Sequence, residues 1–81
     1  MQPVLAAHLS AIASAPQGRL SPRELEVLEL ASRGKTASQT GGELMISFES
    51  VNTFLQRASA KLGARGKTHA VAIALRAGLL Q

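Results

Sequence analysis

Eighty-one residues, 46% hydrophobic but only 2% aromatic, make one small domain whose core must be Leu, Ile, Val and Ala, which suits close-packed helices better than a sheet. With no cysteine and two histidines far apart in sequence, neither a disulfide framework nor a metal site is available, so the expectation is an all-α cytoplasmic protein with no cofactor and no membrane partner. The net charge of +4 is uneven: all five acids (Glu24, Glu26, Glu29, Glu43, Glu49) precede a basic half carrying Arg57, Lys61, Arg65, Lys67 and Arg76, a distribution that favours a polyanion partner over mere solubility by self-repulsion.

Residues 1–19 read as an N-terminal amphipathic segment and linker, and residues 20–81 as the domain. Val4, Leu5, His8, Leu9 and Ile12 recur at helical spacing and predict a short helix over Pro3 to Ser14, joined to the rest through Ala15-Pro16-Gln17-Gly18. Two roles fit it, a dimer or partner contact and simple packing on the domain. Ala13-Ser14-Ala15 has the look of a signal cleavage site, but no cation precedes the apolar part, and His8 and Ser10 interrupt it.

The first helix of the domain starts at Ser21-Pro22. Ser21 is a cap, Pro22 sits where a missing N–H costs nothing, Glu24 completes a capping box, and Leu20 with Leu25 forms a hydrophobic staple. Val27, Leu28 and Ala31 face inward; Arg23, Glu26, Glu29 and Arg33 face outward, and Gly34 stops the helix. These glutamates read as solvated side chains, with no catalytic carboxylate pair among them. Thr36 caps the next helix, with Gln39 in the capping-box position, and the helix should reach Leu44. Gly41 and Gly42 weaken it by roughly 0.8 to 1.0 kcal/mol each, so close approach of a neighbour is expected to compensate. They follow no strand and lack the Lys-Ser/Thr ending, so they are no phosphate loop.

After a tight turn at Met45 and Ile46, Ser47 caps a helix predicted from Phe48 to Leu62, with Ile46 and Val51 as its staple. Val51, Leu55, Ala58 and Leu62 form its buried stripe. The opposite side carries Glu49, Asn52, Thr53, Gln56 and Ala60, with Arg57 and Lys61 along one flank. Short polar groups bordered by cations fit a base-reading face between phosphate contacts; a solvated helix face fits the same residues. Gly63 stops this helix, and a last one is predicted from Lys67 to Ala77, ended by Gly78. Ala70, Val71, Ile73, Ala74, Leu75 and Ala77 cover more of its circumference than one stripe requires. Val71, Ala74 and Leu75 are the expected dimer interface; Leu79, Leu80 and the N-terminal helix are the alternative cover. Lys67, Thr68 and His69 occupy its first turn, where free N–H groups suit a phosphate.

Several spaced blocks now agree in order. Leu20-Ser21-Pro22-Arg23-Glu24-Leu25-Glu26-Val27-Leu28, Gly34, Leu44-Met45-Ile46-Ser47, Ser50-Val51-Asn52, Lys61-Leu62-Gly63-Ala64-Arg65 and Thr68-His69-Ala70 resemble the LuxR-type (GerE-like) helix-turn-helix domain of bacterial transcription regulators over Leu20 to Leu80, and Val51-Asn52 resembles its quorum-sensing branch. The resemblance implies a four-helix domain, here with the short additional N-terminal helix, whose third helix enters the major groove and whose fourth helps dimerisation on inverted-repeat DNA. Carried over by position, it implies base contacts from Asn52, Thr53 and Gln56, and phosphate contacts from Ser47, Ser50, Arg57, Lys61 and Thr68, with Lys35 and Arg65 as further candidates. Phe54 stands where the family usually has His, and Thr40-Gly41 replaces the usual Ile-Ala. The family's usual N-terminal ligand-binding or phosphoacceptor domain has only nineteen residues in its place, which fits either a stand-alone member or an excised output domain.

The expected function is therefore a sequence-specific, non-enzymatic DNA-binding regulator acting as a homodimer on double-stranded DNA. The rival is an interaction module that pairs with another LuxR-type regulator and binds no DNA.

Overall fold

A computed structural model describes residues 19–80, which form four helices and no strand: α1 (Pro22–Ser32), α2 (Ala37–Leu44), α3 (Phe48–Leu62) and α4 (Lys67–Arg76). The expected helix over Pro3 to Ser14 and its linker lie outside the described residues. The protein is all-α in the part described, and the starts of α1, α2 and α3 follow local cap chemistry.

At the start of α1, Ser21 Oγ accepts from the Glu24 amide at 3.1 Å while Glu24 Oε1 accepts from the Ser21 amide at 2.8 Å. Thr36 and Gln39 repeat that reciprocal box at α2, with distances of 3.1 and 2.8 Å. Each box satisfies donors that a helix start would otherwise leave unmatched. The two glycines of α2 turn out to differ. A Cβ on Gly41 would stand 2.7 Å from the backbone oxygen of Ile46, whereas one on Gly42 would meet nothing within 4 Å. Close approach explains Gly41 alone; it lets the chain reverse so that the Ile46 amide can donate to Gly41 O at 3.0 Å. The reversal passes through Met45, a non-glycine residue in the left-handed region at φ 59°.

The third helix is the hub, in contact with α1, α2 and α4. Val51, Leu55 and Ala58 meet Val27 and Leu28 of α1, Ala70 and Ala74 of α4, and Leu80 in one buried cluster. Each Leu or Val so enclosed contributes about 1.5 to 3 kcal/mol relative to exposure, and the alanines let the helix backbones approach. Ala74, expected at a dimer interface, is wholly buried in the protein's own core, because α4 turns Ala70 and Ala74 toward α3 and α1. Val71 is half-buried against the same cluster. What remains outside is Leu75, 47% exposed, and Leu79, 45% exposed, while Leu80 folds inward.

One polar contact spans the core. Glu24, only 3% exposed, accepts from Lys61 Nζ at 2.8 Å, and Lys61 donates also to Arg19 O at 3.1 Å. Burial pushes the Glu24 carboxyl up, but Lys61 and the Ser21 amide favour its charged form more strongly and hold it below its ordinary value.

Candidate nucleic-acid interface

The turn from α2 into α3 presents the N-terminal half of α3 outward. Ser47 Oγ accepts from the Ser50 amide at 3.0 Å and donates to Ser50 Oγ at 3.0 Å. Its own hydroxyl is therefore consumed in capping, and the Ser50 hydroxyl keeps the proton available to a phosphate. Thr53 Oγ1 donates to Glu49 O at 3.0 Å, one turn back. That leaves Thr53 with acceptor capacity and a methyl group, which suits a thymine methyl or a base amine better than a base acceptor.

Asn52 and Gln56 line one wall of an open groove with Leu55, Ser59 and Ala60; Ala64, Arg65, Gly66 and Lys67 line the other. Two amide side chains, each able to donate and accept in one plane, thus stand across from two cations. The groove exists because Gly63, at φ 68°, turns the chain sharply after α3, with the Ala64 amide closing on Ser59 O at 2.8 Å. His69 Nδ1 then accepts from the Arg65 amide at 3.0 Å and fixes the last loop; His69 is a capping residue here. No side chain caps α4 at Gly66, so the first-turn amides of α4 have no side-chain acceptor there.

Charge sorts the expected phosphate contacts. Four cations are matched to acids: Arg23 to Glu26 at 3.1 Å, Arg33 to Glu29 at 3.8 Å, Lys35 to Glu43 at 2.8 Å and Lys61 to Glu24 at 2.8 Å. The Lys61 ammonium is thereby held by a buried carboxylate on the α1 side of α3. The Lys35 pair is exposed on the surface, where such pairs are weak enough to exchange partners. Among the described residues Arg19, Arg57, Arg65, Lys67 and Arg76 make no ion pair, so the net charge sits largely around α3 and the start of α4. The Arg57 guanidinium lies 6.0 Å over the Phe54 ring. Phe54 is half-buried against the core and braces that cation from behind. The place of Lys67 in a first helical turn suited to a phosphate was legible, but the position of its side chain across from Asn52 and Gln56 depends on the Gly63 turn.

No cluster of metal-ligating side chains occurs among the described residues, and no helix there is long and apolar enough to cross a membrane.

The family model described as GerE, bacterial regulatory proteins, luxR family, matches residues 18–74. The transcriptional activator protein BjaR1 of Bradyrhizobium diazoefficiens is 48% identical over 61 residues, 75% of this chain and 25% of that protein. The HTH-type quorum sensing-dependent transcriptional regulator RpaR of Rhodopseudomonas palustris is 43% identical over 65 residues, 80% of this chain and 27% of that protein. The spore germination protein GerE of Bacillus subtilis is 40% identical over 62 residues, 76% of this chain and 84% of that protein. The chain thus spans about a quarter of the first two relatives and most of the third.

Proposed function

This chain belongs to the luxR family of bacterial regulatory proteins, and from that membership we propose that it is a sequence-specific DNA-binding transcriptional regulator that lays α3 in the major groove. The relatives BjaR1 and RpaR are a transcriptional activator and a transcriptional regulator. The observation that carries the proposal is the groove with Asn52 and Gln56 on one wall and Arg65 and Lys67 on the other. Amides read base edges, adenine above all, and cations neutralise the flanking phosphates. In this reading Asn52, Thr53 and Gln56 meet bases, while Ser50, Arg57, Arg65, Lys67 and Thr68 hold the backbone, with Lys35 able to leave Glu43 for a phosphate.

Two copies are proposed to read an inverted repeat with half-sites about one helical turn apart. The exposed Leu75 and Leu79 support a contact between copies through α4, with Val71 at its margin. Such a regulator works in the bacterial cytoplasm. The same two leucines favour one rival, in which α4 pairs with another luxR-type regulator and no DNA is bound.

Fluorescence anisotropy with a library of inverted-repeat duplexes at low and moderate salt, alongside a mass measurement of the free protein, separates the two. Tight, salt-sensitive and sequence-dependent binding is expected. A folded protein that binds no duplex even at low salt refutes the DNA reading and favours the rival.

A further inference from the structure

Glu49 stands apart from the other acids. Glu24, Glu26, Glu29 and Glu43 each pair with a cation, whereas Glu49 makes no ion pair among the described residues. It is exposed in the first turn of α3. At 100° per residue it shares the outward face with Thr53, Gln56 and Ala60, and Thr53 is tied back to its carbonyl. With Ser50, Thr53 and Arg57 it lines a second open hollow, on the flank away from the groove of Asn52 and Lys67. Arg57 shares that hollow without neutralising it.

A carboxylate on the face that meets a polyanion is repelled by every phosphate nearby. The positive end of the helix dipole offsets some of that repulsion, but it does so on any DNA sequence and selects nothing. Selection requires a donor on a base edge. The major groove offers two, the N4 amine of cytosine and the N6 amine of adenine, and adenine places its N7 acceptor beside the amine, where a carboxylate is repelled. Cytosine presents the amine alone among its own edge groups. The geometry points to Glu49 as a specificity-determining residue that accepts a hydrogen bond from the N4 amine of a cytosine in each half-site. This rests on the proposal that α3 reads the major groove. It adds an acid that rejects the wrong base to amides that attract the right one.

The test uses the full chain and the best duplex from the library. Each half-site position is varied in turn for the unmodified protein, Glu49→Gln and Glu49→Ala, and the preferred cytosine is also replaced by a pyrimidinone lacking the 4-amine. The unmodified protein should lose about tenfold in affinity when that amine is removed. Glu49→Ala should show no difference between the two bases and should bind random-sequence duplex more tightly than the unmodified protein, having one negative charge fewer. A Glu49→Ala profile with every base preference intact overturns the assignment and leaves Glu49 as a helix-start acid, even if the protein binds DNA well. Absence of duplex binding by the unmodified protein overturns the DNA reading itself, and this inference with it.

Discussion

Lys61 and Glu24, 37 residues apart in sequence, meet at 2.8 Å between α3 and α1. The same ammonium holds Arg19 O at 3.1 Å, so one side chain near the end of α3 ties that helix to the start of the domain and to the cap of α1. The Ser47 cap and the Ile46 turn hold the other end of α3. Reading a base edge requires a helix whose tilt is set to a fraction of an ångström, and α3 is anchored at both ends by polar contacts as well as along its length by the core.

Lys61→Met should be the more damaging change at this pair. It leaves a carboxylate that is 3% exposed without its cation, and because Lys61 is itself 24% exposed the loss falls below that of a fully enclosed pair, at about 2 to 3 kcal/mol. Glu24→Gln keeps an acceptor for the Ser21 amide and for Lys61, so about 1 kcal/mol is expected. Urea unfolding of both variants at neutral pH, with unchanged slope, measures the difference. Equal midpoints for the two variants would mean that the pair is held by packing, with its charge irrelevant.

Acid should remove this contribution in a defined direction. Burial works against the charged Glu24 carboxylate, but Lys61 and Ser21 outweigh it and the carboxyl is held below its ordinary value. The unfolded chain therefore takes up the proton first. The stabilisation is fully present above the ordinary carboxyl value of the unfolded chain and is lost as pH falls through the lower folded value. The stability gap between the unmodified protein and Glu24→Gln, followed by urea midpoints from neutral pH to about pH 3, should narrow on acidification. Two parallel curves would contradict it.

Much of this was legible because the signals are local. Ser21 with Glu24, Thr36 with Gln39, and Ser47 with Ser50 lie within one helical turn of each other, so cap chemistry alone placed the starts of α1, α2 and α3. The Phe48 to Leu62 span of α3 matches the sequence expectation, and α4 ends at Arg76, one residue earlier than expected. Contacts between distant residues were not legible. Periodicity put Lys61 on a cationic flank without revealing that α1 places a buried acid beside it. On α4, apolar on most sides, nothing in the pattern distinguished Ala74, which enters the core, from Leu75, which stays outside. The bond from Thr53 to Glu49 O depends on a rotamer that the sequence does not reveal, and the place of Lys67 beside the groove depends on the turn at Gly63.

The glycines of α2 should respond oppositely to the same substitution. Gly42→Ala fills open space on a helix and should stabilise by about 0.5 to 1 kcal/mol. Gly41→Ala sets a methyl 2.7 Å from the Ile46 carbonyl oxygen, a backbone atom inside the turn that aims α3. Overpacking of that kind costs about 1 to 3 kcal/mol, which exceeds the propensity gain. Thermal unfolding should show Gly42→Ala several degrees above the unmodified protein and Gly41→Ala below it. A rise in both would mean that the turn relaxes without cost.

The cations should separate by salt dependence. Arg57 is braced on Phe54 and Lys67 faces the amide wall, and neither is matched to an acid among the described residues. Each of Arg57→Gln and Lys67→Gln should weaken binding by similar factors on preferred and random duplexes and reduce the slope of log affinity against log salt by about 1. Lys61→Gln is the control, because its charge is spent on Glu24: it should cost stability and leave the slope unchanged when measured well below its unfolding transition. Gln56→Ala should do the reverse of the first two, shifting base preference with little change in slope. Anisotropy titrations of the four variants at several salt concentrations distinguish these outcomes. A slope change for Lys61→Gln as large as that for Arg57→Gln would show that the ion pair opens on DNA and that Lys61 meets phosphate.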